Sequence, residues 1–391
     1  METACDVNPL PDLCLEEIQK DLRPMNANLS QPSSIRSALR RFRRLLTCGC
    51  LLALGLPFVA AGQSICTELR PQMRHSHIPD LALASFDRGE IHTYYCTTEP
   101  RPLAPGTIFE AASLSKPVFA AAVLTLVQQG KLDLDRSLAS YLPGPYQHQQ
   151  NPFAQGASDT VTDPRFNRVT ARMVLSHTAG LPNWSHRQPL SLLSEPGRKW
   201  SYSGEGYIYL QRVVETITGE DLQSFVNRAV LDPLGMRHSS FVWRQEFAAK
   251  SLAPHAADGS QGEPERYANP LASSTLYTTL DDYAKFIATF LRPRPDSSIT
   301  AEETKQVEVN SEIKLGWGLG LAVEDTSRPA YFHWGANPGF QSFFMIQPAS
   351  GHGVLFLTDS DNGLDLVDAL VARFVPGKHP ALKFPMLHPK D

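Results

Sequence analysis

The chain has 391 residues, of which 42% are hydrophobic and 19% charged, and a formal net charge of −4. That length can bury a large core and allows two or three domains, and the composition is ordinary for a soluble globular protein. The slight acidity and the lack of a basic stripe with interleaved aromatics give no reason to expect nucleic acid as a partner.

Residues 1–44 differ in kind from the rest. They are polar, contain Pro9, Pro11 and Pro24, and end in the basic cluster Arg36, Arg40, Arg41, Arg43 and Arg44. Residues 45–61 follow without a charge and close on Val59-Ala60-Ala61. Basic flank, apolar run and small-residue exit read as a secretory signal, cleaved near Ala61, that sends the protein to the periplasm or the exterior. The run is at the short limit for a membrane span, and Pro57 argues further against one. The long leader leaves two alternatives open: a true start at Met25, or a retained segment that anchors the chain in the membrane. Cys5, Cys14, Cys48 and Cys50 lie in the leader, so a cleaved protein keeps Cys66 and Cys96. In an oxidising compartment that pair reads as one disulfide; two separate buried thiols are the competing reading. The histidines, His75 and His77 included, lack ligand spacing, so no metal is expected.

In the mature chain, 81–89 and 91–97 flank an Asp-Arg-Gly turn and predict a β-hairpin. Phe109-Glu-Ala-Ala-Ser-Leu-Ser-Lys-Pro-Val-Phe119 then opens an apolar run that stops at Gly130. Pro117 is tolerated only in a helix's first turn, so the helix starts close to Ser113, and Gly130 is a natural end. Residues 131–142 read as a short helical continuation, and 146–166 as a loop. Helices are expected at 207–218, ending at Gly219, at 222–230 and at 280–291. From Leu315 the periodicity changes, and 315–323, 330–334, 340–347 and 353–358 read as consecutive antiparallel strands. A helix at 364–374 closes the domain, and the tail 376–391 reads as irregular. The expected architecture is α/β (α+β): a sheet built from both chain ends, flanked by helices, with an inserted helical lobe.

Ser113 and Lys116 sit three apart, which on a helix puts both side chains on one face. A serine hydroxyl needs a base beside it, and a buried lysine can be that base because desolvation lowers its pKa. Backbone N–H groups at the helix start suit a developing oxyanion. The pattern is short, and a second copy occurs at Ser311-Glu-Ile-Lys314. That copy leads into a glycine-rich strand pattern, where its side chains would not share a helical face.

From about residue 66 to 375 the chain resembles the serine hydrolases that include class C β-lactamases, low-molecular-weight penicillin-binding proteins, D-aminopeptidases and related esterases. The resemblance rests on Ser113-Leu-Ser-Lys116, Ser176-His-Thr-Ala-Gly-Leu181, Pro196-Gly197 with Tyr202-Ser-Gly204, Asp232-Pro-Leu-Gly-Met236, and His333-Trp-Gly335 with Pro338-Gly-Phe340. It implies Ser113 as nucleophile, Lys116 and Tyr202 as proton relay, the backbone of Ser113 and Ala336 as oxyanion hole, and Gly204, His333, Trp334 and Gly335 around the substrate. Tyr202 could be the base only if a nearby cation lowers its pKa. No cofactor is implied, and the partner is a small-molecule or peptide carbonyl substrate, cell-wall fragments being among the substrates that the resemblance implies. Two departures shift the expectation from β-lactamase toward esterase or D-alanyl peptidase. Gly204 replaces the Asn of Tyr-x-Asn, and His333 replaces a Lys. A literal Tyr267-Ala-Asn269 lacks the Pro-Gly before it and the helix after it. The rival reading is a penicillin-recognising sensor or envelope scaffold that acylates slowly or not at all.

Overall fold

Alternation along the strands explains why one sheet carries two cores. The structure is a computed structural model that describes residues 56–154, 156–292 and 302–388. The hairpin is formed by β1 (Asp80–Asp87) and β2 (Glu90–Thr97). Six C-terminal strands complete the sheet: β3 (Val307–Asn310), β4 (Leu315–Trp317), β5 (Ala322–Glu324), β6 (Ala330–Asn337), β7 (Phe340–Gln347) and β8 (His352–Thr358). All pairings are antiparallel, in the order β2-β1-β8-β7-β6-β5-β4-β3, so both chain ends meet at β1 and β8.

On β1, Ala82, Ala84 and Phe86 face one core, while Leu81 and Leu83 face the other. Leu355 and Leu357 against Val354 and Phe356 repeat the pattern on β8. Side chains on a strand point alternately to opposite faces, so a sheet covered on both sides is apolar throughout. The first face is covered by α2 (Ser115–Gln128), α3 (Gly204–Thr218) and α4 (Leu280–Leu291). Against the second pack α1 (Leu56–His75), through Ile65, Leu69 and Met73, and α5 (Val367–Phe374). A disulfide, Cys66 to Cys96 with Cα atoms 5.1 Å apart, ties α1 to β2.

Cap chemistry sets the helix ends. The Thr279 hydroxyl accepts from the Asp282 N–H at the start of α4, and α3 ends on Gly219 at φ 71°. Several elements differ from the sequence reading. Residues 131–142 are not helical except for a 3-10 turn at Leu138–Tyr141, because Asp133 accepts from the Asp135 N–H at 2.9 Å and turns the chain. The loop 146–166 contains a small hairpin, Gln147–Gln149 with Ser158–Thr160. The run 315–323 breaks at Gly318–Gly320 into β4 and β5, and β3 was not anticipated. The tail forms two 3-10 turns, and its Ala381, Leu382, Phe384 and Leu387 are buried in the second core. The leader and most of the apolar run lie outside the described residues; α1 runs on through Ala61, where the signal is expected to end. Among the described residues no helix is long and apolar enough to cross a membrane.

Candidate active site

Ser113 stands on a turn held from three sides. The short strand Phe109–Glu110 pairs with Tyr277–Thr278 and delivers the chain to a 3-10 turn, Ala112–Leu114, that runs into α2. Ala112 has φ 50°, a left-handed conformation that costs a non-glycine residue roughly 1–3 kcal/mol and needs surrounding structure to hold it. The Ser342 hydroxyl donates to the Ala111 carbonyl oxygen at 2.9 Å. Gly335 on β6 presses so closely that a Cβ there would stand 2.3 Å from the Ala111 oxygen and 3.0 Å from the Ser113 nitrogen. Only glycine fits.

Lys116 is buried, with Nζ 3.1 Å from Ser113 Oγ and donating to the Ser273 carbonyl oxygen at 2.8 Å. Burial pulls its pKa down to about 7. Its surroundings are aromatic: Nζ lies 4.7 Å from the Tyr202 ring centre and 5.6 Å from that of Tyr207. Ser115 is occupied otherwise, since its hydroxyl donates to the Ala112 oxygen at 2.6 Å and accepts from the Leu276 N–H at 3.0 Å. The second Ser-x-x-Lys lies in the exposed turn between β3 and β4, with Lys314 at φ 57°. It builds no site.

Tyr202 is placed by two segments zipped along their backbones. Gly197 N–H donates to the Thr178 oxygen, and Ser201 N–H to the His177 oxygen, both at 2.7 Å. Ser203 N–H donates to His177 Nδ1 at 3.1 Å, which leaves the imidazole proton on Nε2. The Tyr202 ring stacks on Trp334 at 5.4 Å and packs against His177 at 4.4 Å. Burial raises the Tyr202 pKa well above its ordinary value; the nearby Ser113 hydroxyl works against that, more weakly. The phenol makes no hydrogen bond of normal geometry to another described residue. Burial, and then the charge of Lys116, push the His177 pKa well below the usual range.

The residues expected around the substrate divide. His333 is fully buried and Trp334 nearly so, and both pack on Tyr202 instead of presenting surface to a ligand, a correction to the sequence reading. The Trp317 ring packs edge-on against both. His333 Nδ1–H donates to the Trp334 oxygen at 2.8 Å, and burial, then Lys116, bring its pKa down to about 3. It is neutral at physiological pH. Ala336, one residue past the close approach of Gly335, is exposed. The β6 strand pairs with β5 only through Ala330–Phe332, which leaves the backbone edge at 333–337 outside that ladder.

Behind the turn, Asn337 Nδ2 donates to Glu110 at 2.8 Å and to the Ser274 oxygen at 3.3 Å, and the Tyr267 hydroxyl reaches Glu110 at 3.4 Å. Burial raises the Glu110 pKa to about 7. Gly204 opens α3, and a Cβ on it would meet the Asn183 carbonyl oxygen at 2.8 Å. Among the described residues no cluster of acids, histidines or cysteines could hold a metal ion.

The pattern of the beta-lactamase family matches residues 67–375. The chain belongs to this family of serine hydrolases. Penicillin-binding protein 4* of Bacillus subtilis is 32% identical over 317 residues, which cover 70% of this chain and 65% of that protein. Protein flp of Staphylococcus aureus is 22% identical, over 76% of this chain and 62% of its own length. The chain thus spans under two thirds of these curated relatives. Among solved structures, a class C beta-lactamase superposes with TM-score 0.66 at 18% identity, over 82% of this chain and 98% of its own. The D-alanine carboxypeptidase AmpC of Burkholderia cenocepacia gives 0.64 at 16%, over 78% and 95%. At such identities the likeness is one of fold: the β-lactamase/transpeptidase-like sheet of both chain ends.

Within this family member, Ser113, Lys116 and Tyr202 come together, and Tyr267 stands apart against Glu110. Four contributors were not singled out from sequence: the Ser273 carbonyl, His177, the Glu110–Asn337 pair and Asn183. His177 lay inside a recognised motif; the others depend on contacts between distant parts of the chain, which no local pattern announces.

Proposed function

We propose that the protein hydrolyses esters or amides through a covalent acyl-enzyme on Ser113, with Lys116 as base and Tyr202 passing the proton to the leaving group. The observation that carries this reading is the Lys116–Ser113 pair: an amine 3.1 Å from the hydroxyl, with a pKa of about 7. Near neutrality about half of such amines are unprotonated, which is where a general base works best. Ser113 Oγ bonds to the substrate carbonyl carbon as its proton moves to Lys116 Nζ. Tyr202 gives its proton to the departing group and regains one from Lys116. Water then attacks the acyl-enzyme by the same path in reverse, releasing the acid and free Ser113. The high pKa of Tyr202 favours a donor, not a base. The N–H groups of Ser113 and Ala336 would hold the oxyanion.

The relatives' names speak of penicillin binding and of a D-alanine carboxypeptidase, so a cell-wall peptide is one candidate. Two features favour simple esters over substrates that present a carboxylate and an amide, β-lactams included. His333 is neutral and buried against Tyr202, so it supplies no cation for a substrate carboxylate. Gly204 offers no side chain. The disulfide supports export to an oxidising compartment.

Intact-mass analysis after exposure to a fluorophosphonate should show one adduct, mapping to Ser113. Short-chain aryl esters should be turned over with kcat/KM at least about tenfold above a cephalosporin, roughly 1.4 kcal/mol of transition-state binding. An adduct on Ser115, or none, would overturn the nucleophile. A cephalosporin hydrolysed faster than every ester would overturn the preference, and stable acylation without turnover would favour a sensor. Restoring the family pattern by Gly204→Asn is not a clean converse test, because the new Cβ would collide with the Asn183 backbone.

A further inference from the structure

Among the described residues no hydrogen bond of normal geometry aims the phenol of Tyr202. Its direction therefore follows from the backbone on either side and from the rings packed against its own. Trp334 stacks on it at 5.4 Å and 29°, and Trp200, two residues before it in the chain, stands 6.5 Å away. Neither tryptophan takes part in a step of the mechanism.

Both are braced by a part of the chain that the family pattern does not reach. That pattern ends at residue 375, and the tail beyond it folds into the second core as the two 3-10 turns Pro380–Lys383 and Pro385–Leu387. Phe384, between the turns, is buried with its ring edge-on to Trp200 at 5.7 Å and to Trp334 at 5.6 Å. One ring thus meets the two tryptophans beside Tyr202, in the edge-to-face geometry that aromatic pairs prefer.

The tail is also fastened by polar contacts. His379 Nδ1 donates to Glu324 Oε1 at the end of β5, at 2.9 Å, and the Ala381 N–H donates to Glu324 Oε2 at 3.1 Å. His379 Nε2 faces the Val375 oxygen at 3.2 Å, so both ring nitrogens point at acceptors. The side chains of the His379–Glu324 pair are almost fully buried. Two donors on one buried carboxylate fix the register of the tail, and with it the place where Phe384 comes to rest.

We infer that the tail belongs to the catalytic apparatus: Phe384 is a positioning residue that, through Trp200 and Trp334, holds the Tyr202 phenol in line with the leaving group. This rests on the acyl-enzyme reading, in which Tyr202 delivers the leaving-group proton, and adds to it a residue from outside the family pattern.

The test is a double-mutant cycle in the intact protein, with ethyl and phenyl butanoate as substrates. Phe384→Leu keeps an apolar side chain in the core and loses the ring edges, so it carries the test even if the harsher Phe384→Ala does not fold. Assayed well below its melting temperature on ethyl butanoate, Phe384→Leu should lower kcat at least about tenfold, with KM within about twofold of the wild type. The kcat/KM deficit should be smaller on phenyl butanoate, whose leaving group departs with little need of a proton. In a Tyr202→Phe background there is no proton to aim, and the same substitution should change kcat by less than about twofold. A residue that only filled the core would cost the same factor in both backgrounds and on both esters. That result, an effect confined to KM, or an unchanged kcat would overturn the inference while leaving the acyl-enzyme reading in place. A Tyr202→Phe enzyme as active as the wild type would overturn the role of Tyr202, and the positioning role with it.

Discussion

Lys116→Met lowers kcat/KM for an ester by about 10²–10⁴, the usual contribution of a positioned acid–base group. It also removes the pH dependence that the wild type shows near neutrality. The base is the unprotonated amine, so wild-type kcat/KM rises with pH up to about 7 and levels above it. Tyr202, with its raised pKa, adds no descending limb in the neutral range. An ascending limb that persists unchanged in Lys116→Met would assign the base elsewhere.

The same substitution carries a stability signature of opposite sign. The folded-state pKa of Lys116 lies below the ordinary lysine value of 10.5. Between about pH 7 and 10.5 the unfolded chain therefore binds more protons than the folded one, and stability rises with pH. Below pH 7 the full cost of burying the amine is present. Methionine fills similar space without a charge, so Lys116→Met should melt higher than the wild type at pH 6, by a margin that shrinks as pH rises. Activity lost and stability gained at one residue is the signature of a strained functional group. A plain loss of packing would lower both.

What the sequence made legible follows contact range. Ser113 and Lys116 share one helical turn, so spacing alone brings them together, and Pro117 fixes where that helix starts. Tyr202 was readable from the Pro-Gly before it and the amphipathic helix after it, both local signals. The strands were legible as apolar runs, but their breaks were not: Gly318–Gly320 divides β4 from β5 by a turn whose need arises from tertiary pairing. The Asp133 turn replaced a helix because a side-chain oxygen competed for a backbone N–H, an outcome that apolar periodicity does not register. At His333 strand alternation identifies a face but not its depth. Whether a residue on that face meets substrate or is buried depends on Tyr202 and Trp317, whose rings pack against it from elsewhere in the chain. The neutrality of His333 is stronger than its residue type suggests, because Lys116 and burial act in the same direction. Asn183 was the least legible of all, since its meaning depends on a side chain that Gly204 lacks.

Tyr202→Phe and Tyr267→Phe should separate by orders of magnitude. Tyr202 is buried and Tyr267 half-buried, and burial raises both pKa values, so titration does not distinguish them. Their neighbours do. The Tyr202 ring is 4.7 Å from Lys116 Nζ, and its hydroxyl is near enough to Ser113 to be influenced by it. Tyr267 spends its hydroxyl on Glu110, and its N–H donates to the Tyr277 hydroxyl at 3.1 Å. Removing the Tyr202 oxygen takes away the proton donor to the leaving group, so kcat should fall by about 10²–10⁴ with little change in KM. Because the Tyr202 hydroxyl has no hydrogen bond of normal geometry, its loss should leave the melting temperature close to that of the wild type. The Tyr267 change keeps the ring that faces Phe153, so any effect should be small. An activated phenyl ester sharpens the comparison. Its leaving group departs with little need of a proton, so the Tyr202→Phe deficit should be smaller on phenyl than on ethyl esters. If the deficit is equal on both, Tyr202 does not deliver the leaving-group proton; if Tyr267→Phe is the variant that loses kcat, the catalytic tyrosine is in the other loop.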